Sequence, residues 1–556
     1  MATAIPLERH ETAVSVLREA AHVNADVEAY VEPAGAGERR SLSFAAWDRA
    51  ADGVAGLLEE RGVRKGDVVC LLLPSCLDYA VLYAALQRLG AITSGINPRM
   101  GGGEVASIIE RAAPVLLVAD ADADAAVAAE AAAVPQVTRA EVAVAWTGRP
   151  PSSWPELGPD DPVALVWTSG TTGQPKGALF DHANLAAVAR GTDVLSRPGD
   201  RRLSPLPFAH VAYMTRAWDE IAHGVTTVIT PTPWRADDAI RIMAAERITV
   251  GQGVPTQWAL MLASGELAGA DLSALRVVGT GAARMSAAMV AEVRERFGAP
   301  VVVRYTSTET SLGTGTTLAS SDAEVATTVG RPVPGVELAI VDETGAPVVP
   351  GSIGRVLLRS PAAMRGYWGQ GPGRGRAVHE LIDADATAAV LAPDGWLTTG
   401  DFGLLTPEGN LQLAGRAHER YIRGGYNVYP AEVEEALASH PSVARAAVVG
   451  APDDVLGEIG VAVVVAEAGL RPELGELRAH CAARLSDYKS PDALVVVDEL
   501  PLTPMMKVDP GRLGALAARA AEERRSARER GHRPGAGMVG SGHDEEAAAA
   551  DEKERA

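Results

Sequence analysis

The stretch VALVWTSGTTGQPKGA, residues 163–178, runs from a wholly apolar segment straight into a loop with three glycines, four hydroxyl residues and one lysine. An apolar run of this kind bounded by turn residues reads as a strand buried in a parallel sheet. The loop composition suits a phosphate: glycines let backbone N–H groups approach its oxygens, hydroxyls add donors, and Lys176 adds a point charge. The spacing excludes a Walker A loop, because Gly170 is followed by Thr-Thr-Gly-Gln-Pro-Lys176 and Lys176 by Gly177 rather than Ser or Thr. Taken alone, the stretch is either a phosphate cradle or a flexible Gly/Thr-rich turn.

The strand and helix rhythm extends on both sides. Residues 66–74 (GDVVCLLLP) form a second buried strand between helices read over 45–61 and 78–89; in the first of these, Ala50, Val54, Leu57 and Leu58 recur at helical spacing. Residues 108–112 and 115–119 continue the alternation, and 120–160 turn Ala- and Pro-rich, which reads as a surface excursion. Strand patterns return at 226–230, 248–251, 276–279 and 300–305. After residue 330 short strands with turn signals, 336–345 and 354–359, give the texture of a β-rich subdomain. Residues 421–512 read as a compact α+β module with a helix over 431–439 and strands over 444–450 and 460–466. The Ala/Glu/Arg-rich remainder, 513–556, has few large apolar residues, so a short helix near 513–530 and a largely disordered tail are expected.

A chain of 556 residues exceeds one ordinary core and implies several domains. Its 51 Lys and Arg against 71 Asp and Glu leave a formal charge of −20, which excludes general binding to nucleic acid or anionic membrane. Cys70, Cys76 and Cys481 form no CxxC or Cys/His cluster and read as buried reduced thiols suited to the cytoplasm. No run reaches the ~18 apolar residues of a spanning helix, and the N-terminal MATAIPLERHETAV lacks a signal-peptide core.

Five later stretches decide what the opening loop belongs to: Gly279-Thr-Gly-Ala-Ala283, Tyr305-Thr-Ser-Thr-Glu309, Trp396-Leu-Thr-Thr-Gly-Asp401, the run from Gly415 to Glu434 that contains Arg416, Gly424-Gly425 and Asn427-Val-Tyr-Pro430, and Pro501-Leu-Thr-Pro-Met-Met-Lys507. With the loop, they resemble in order the TSGTTGxPKG, GGAP-type, YGxTE, YxTGD, GRxKDxIxxGGxNVxPxExE and PxTxxGK motifs of the adenylate-forming (AMP-binding) superfamily. That superfamily comprises acyl-CoA synthetases, peptide-synthetase adenylation domains and luciferases. Six ordered motifs across residues 10–512 make the resemblance specific.

The resemblance implies an α/β fold with a large N-terminal domain of αβαβα-type sheets (1–414, its β-rich subdomain at 330–414), a hinge at 415–420 near His418-Glu419, and a small mobile α+β C-terminal domain (421–512). It implies an acyl-CoA synthetase acting on carboxylic acid, ATP and CoA with Mg²⁺; the alternatives are an acyl-AMP ligase serving a carrier-protein thiol and a catalytically impaired nucleotide-binding homologue. Thr168, Ser169, Gly170, Thr171, Thr172, Gly173 and Lys176 would clamp the β- and γ-phosphates. Gly281, Ala282 and Ala283 would line the adenine and Tyr305 would stack on it. Thr308 would bond the α-phosphate, Glu309 would hold the metal, and Asp401 with Arg416 would hold the ribose. Lys507 would stabilise adenylation, His210 would sit by the carboxylate, and Gly424 and Gly425 would border the pantetheine channel. A homodimer is compatible with these readings.

Several positions depart from the motifs. The adenine loop lacks its proline, Thr306 and Met506 replace glycines, His418-Glu419 replaces Lys-Asp, and Ala209 replaces a bulky aromatic. Met214, Trp218 and Trp258 are expected in apolar walls of the acyl pocket, pointing to a fatty, cyclic or aromatic acid.

Overall fold

The computed structural model describes residues 2–34, 37–120, 134–168, 175–192, 194–369, 371, 373–416, 420–423, 426–503 and 507–531. Among them, four sheets carry the fold. In the first, Val68–Leu72 lies between Ile92–Ile96 and Leu116–Ala119, all parallel, and Pro162–Thr168 extends the parallel run on the far side of Ile92–Ile96. Lys176–Asp181 then turns back antiparallel on Pro162–Thr168, with Thr168 opposite Lys176. Pro162–Thr168 and Lys176–Asp181 thus pair as the two arms of a β-hairpin. Residues 169–174 lie outside the described residues.

The second sheet has nine strands. Its parallel centre runs from Glu28–Glu32 through Thr226–Ile229, Arg201–Ser204, Val250–Gly253 and Val277–Gly281 to Val301–Tyr305. Strands such as Val68–Leu72 and Thr226–Ile229 are buried at every residue, because helices cover both faces of a parallel sheet. The third sheet is an antiparallel meander of Glu337–Val341, Gly354–Arg359, Trp396–Leu405 and Leu411–Arg416.

The fourth sheet centres on Gly457–Ala466, between Val443–Asp453 and Ala493–Val497. Its side chains alternate as a strand requires. Ala462 and Val464 face Val433, Leu437 and Leu477 of the helices Pro430–Ala438 and Leu474–Ala482. Val461 and Val463 face the helix Pro510–Gly531 through Ala517, Ala520 and Leu513. The architecture is thus mixed α/β, with a large N-terminal part and a smaller C-terminal one.

Two expectations need correction. Within 120–160, Gln136–Thr138 joins the edge of the first sheet and Arg139–Ala145 forms a helix capped by Thr138 and Glu141, so this part is not an excursion. The tail does not begin at 513: Leu513, Ala517 and Ala520 pack on the fourth sheet, and Arg524 bonds Asp453 at 2.8 Å. Alanines let a helix lie close to a sheet, so few large residues are needed. Residues 532–556 lie outside the described residues. All three cysteines are buried and unpaired.

His182, first residue of the helix His182–Gly191, is buried and accepts the Ala13 N–H at Nδ1. Burial pushes its pKa down to about 4. The folded state therefore binds fewer protons there than the unfolded chain. The stabilisation is complete above pH 6.5 and is lost as pH falls from 6.5 through 4, a change of about 3 kcal/mol for a shift of this size. Urea midpoints across that window should fall less steeply with acid in a His182→Asn variant than in the parent chain; parallel slopes would contradict this.

Candidate active site

The carboxyl ends of parallel strands are where open α/β sheets bind ligands. Val277–Gly281 and Val301–Tyr305 end side by side, with Gly281 opposite Arg304. A Cβ on Gly281 would stand 2.6 Å from the Arg304 carbonyl oxygen, so glycine alone lets the strands close there. Ala282 follows in the left-handed region at φ 68°, which costs a non-glycine residue about 1 kcal/mol. The Gly281–Ala282–Ala283 loop and the turn after Tyr305 thus emerge next to each other.

That turn is built by its own hydroxyls. The Ser307 N–H donates to Thr310 Oγ1 at 3.0 Å, and the Ser311 N–H to the Ser307 carbonyl at 3.1 Å. Thr308 and Glu309 sit at its tip, half-buried. The Met364 N–H holds the Glu309 carbonyl at 2.8 Å, and the Tyr367 hydroxyl donates to Glu309 Oε1 at 2.8 Å. The Lys176 ammonium lies over the Tyr367 ring, 5.1 Å from its centre. Tyr367 therefore joins the glycine-rich hairpin to the Glu309 turn. Burial and the Glu309 carboxylate push its pKa up, so it remains a donor. No motif marked Tyr367; the only cue is an aromatic in the short strand Gly366–Tyr367, which pairs with Lys176–Asp181. At the base of the hairpin, Thr168 Oγ1 donates to the Lys176 carbonyl at 3.4 Å.

Asp401 and Arg416 face each other across the third sheet, with Arg416 Nε 3.0 Å from Asp401 Oδ1. The other Asp401 oxygen accepts from the Tyr305 hydroxyl, and burial together with that carboxylate raises the Tyr305 pKa. Three motif residues from two sheets are thus one cluster.

His210 caps the short helix Val211–Met214, its Nδ1 accepting the Ala212 N–H at 3.3 Å. Burial, and secondarily the charge of Lys507, push its pKa down to about 4, leaving the ring neutral at pH 7. Lys507 comes from the C-terminal module. Its backbone closes a loop on Thr503, whose N–H donates to the Lys507 carbonyl at 2.7 Å. Its side chain keeps solvent-exposed surface, yet surrounding protein and then the Arg416 charge lower its pKa. Lys507 is therefore within electrostatic range of both His210 and Arg416.

Expected residues outside this assembly fall into two groups. Ser169 to Gly173, His418, Glu419, Gly424, Gly425 and Met506 lie outside the described residues. Met214, Trp218 and Trp258 are fully buried core residues. Trp258 stands edge-on to Phe297, 5.1 Å between ring centres, and a Cβ on Gly251 would lie 2.9 Å from its ring. They support the sheets and their helices, not an open pocket.

Residues 17–368 match the AMP-binding enzyme family, and residues 432–507 match the AMP-binding enzyme C-terminal domain. The chain belongs to the AMP-binding enzyme family. This adenylate-forming enzyme is 34% identical over 499 residues to the indoleacetate–CoA ligase of Aromatoleum aromaticum, covering 86% of this chain and 94% of the relative. It is 31% identical over 508 residues to the long-chain-fatty-acid–CoA ligase FadD13 of Mycobacterium tuberculosis, with 89% and 96% covered. Its fold is similar to that of ATP-bound MatB from Rhodopseudomonas palustris, with a TM-score of 0.81, 27% identity, and 92% and 100% of the two chains covered. It is an ATP-dependent, AMP-forming ligase of carboxylic acids. Among the described residues, no helix is long and apolar enough to cross a membrane.

Proposed function

We propose that the enzyme is an acyl-CoA synthetase of the cytoplasm, acting on an apolar fatty, cyclic or aromatic acid in two steps. A carboxylate oxygen of the acid attacks the α-phosphorus of ATP, the bond to the β-phosphate oxygen breaks, and pyrophosphate leaves. The CoA sulfur then attacks the acyl carbon, giving up its proton, and AMP leaves with the bonding pair. The observation that carries the reading is the approach of Lys507, from the C-terminal module, to His210 and Arg416 beside the Tyr305–Asp401 cluster.

In this reading Asp401 accepts from the ribose hydroxyls and Arg416 adds a cation beside them. The Gly281–Ala283 loop and Tyr305 hold the adenine. Thr308 donates to the α-phosphate, and the Lys176 hairpin clamps the outgoing pyrophosphate. Neutral His210 and cationic Lys507 meet the carboxylate, whose attack on an anionic phosphate needs its charge screened. Gly424 and Gly425 then border the channel for the CoA thiol. The acids named for two relatives, indoleacetate and long-chain fatty acids, support an apolar acid.

The residues fit a Mg²⁺ ion shared with the nucleotide. Among the described residues no group of three or more ligating side chains stands together, but Glu309 presents one carboxylate oriented by Tyr367. One or two carboxylates plus substrate phosphates is the usual Mg²⁺ arrangement. Glu309 would hold the ion, and its charge would offset that of the phosphates.

Pyrophosphate release over a panel of carboxylic acids, with and without CoA, tests the proposal. CoA-dependent thioester from an apolar acid is expected. Release with an acyl-adenylate that only a carrier-protein thiol accepts would overturn the CoA assignment, and no release with any acid would overturn the enzyme reading.

A further inference from the structure

Arg284 follows the adenine-facing residues Ala282 and Ala283 and reaches in two directions. One terminal nitrogen donates to the Leu413 carbonyl on the strand Leu411–Arg416, ahead of the hinge. The other lies 2.6 Å from Glu435 Oε2, on the helix Pro430–Ala438 of the C-terminal module. The first contact lies wholly within the N-terminal part and holds the guanidinium in place. The second crosses between the two parts. A rotation about 415–420 therefore leaves Arg284 on Leu413 and carries Glu435 away.

We propose that Arg284 is a positioning residue: its bond to Glu435 holds the C-terminal module in the orientation that brings Lys507 to the nucleotide site. The inference rests on the two-step reading above and on the hinge and mobile C-terminal domain that the motif resemblance implies, this orientation serving adenylation and being left for thioester formation. The chemistry of the pair fits a reversible hold. The side chains keep 32% and 51% of their surface exposed, so water replaces either partner readily. An exposed pair of this kind shifts an equilibrium by about two- to five-fold, enough to bias an orientation without locking it. Tyr429 also packs across the two parts, against Phe402 at 5.7 Å between ring centres and beside Gly415, so the ion pair acts in addition to this packing.

The test measures the orientation directly. Spin labels on Glu295→Cys and Val455→Cys, exposed positions on either side, report the inter-domain separation in the full chain with ATP present; the native cysteines are buried. The expected result is that Glu435→Gln depletes the separation seen in this structure by about two- to five-fold, and that Glu435→Asp, which keeps the charge and leaves Arg284 on Leu413, retains most of it. ATP–pyrophosphate exchange should fall by the same factor in Glu435→Gln, while thioester formation from supplied acyl-adenylate holds or rises. An unchanged distance distribution in Glu435→Gln, or a Glu435→Asp variant that folds but is as depleted as Glu435→Gln, overturns the proposal. So does an equal loss of both half-reactions. If the parent chain adenylates no acid, the two-step reading fails, while the distance distributions still decide whether the pair holds the module.

Discussion

Lys507→Ala is expected to lower ATP–pyrophosphate exchange by a factor on the order of a thousand, while thioester formation from supplied acyl-adenylate stays within a few-fold of the parent enzyme. The asymmetry follows from where the charge is needed. In the first step two anions, carboxylate and α-phosphate, must be brought together, and charge grows on the phosphate oxygens. In the second, a thiol meets an already activated acyl carbon and the phosphate leaves. The lysine is placed for the first: it approaches His210, beside which the carboxylate is proposed to lie, and Arg416, which pairs with Asp401. Protein crowding and Arg416 lower its pKa, so an ammonium held there is short of compensating charge until the anions arrive. His210 cannot replace it, because burial keeps the ring neutral at pH 7. Equal loss in both half-reactions would mean that Lys507 supports the module rather than the reaction, and unchanged exchange would remove it from the site.

Much of the fold was legible because parallel strands buried on both faces are written as continuous apolar runs. Val68–Leu72 and Val301–Tyr305 could be placed within two residues for that reason. What was not legible depended on pairing. Nothing in VALVWTSGTTGQPKGA says that Lys176–Asp181 returns antiparallel on its own strand, since a hairpin and a strand-to-helix turn can share one glycine-rich loop. The packing of Pro510–Gly531 was missed because its buried face is two alanines and a leucine, a pattern whose meaning depends on the valines opposite.

The site divides the same way. Tyr305, Glu309, Asp401 and Arg416 could be singled out because each sits in a motif, and the structure joins Tyr305, Asp401 and Arg416 although they are far apart in the chain. Tyr367 was not found, because its function lies in touching Glu309 with its hydroxyl and Lys176 with its ring face, and neither contact leaves a local mark. Trp218 and Trp258 err in the other direction. Large aromatics near a motif suggest pocket walls, but 0% exposure makes both core residues.

Asp401→Ala is expected to lower kcat/KM for ATP on the order of a hundredfold, and Tyr305→Phe tenfold or less. The carboxylate is 6% exposed and serves two partners already, the Tyr305 hydroxyl and Arg416 Nε. Its removal takes the carboxylate acceptor from the half-buried Tyr305 hydroxyl, at a cost of about 1 kcal/mol, and also removes the group proposed to accept from the ribose. Arg416 suffers less, because 53% of its side chain already meets solvent. Tyr305→Phe keeps the ring that is proposed to meet the adenine and loses only one hydrogen bond, leaving Asp401 with Arg416 and, when ATP binds, with the ribose. The loss in Asp401→Ala should appear chiefly in KM for ATP, because ribose contacts are made alike before and during reaction. Asp401→Asn, which keeps the shape and one acceptor oxygen, should fall between the two. If Tyr305→Phe is as damaging as Asp401→Ala, the hydroxyl rather than the carboxylate is what the nucleotide needs. If the losses appear in kcat with KM unchanged, the cluster acts on the reacting phosphate and not on the ribose.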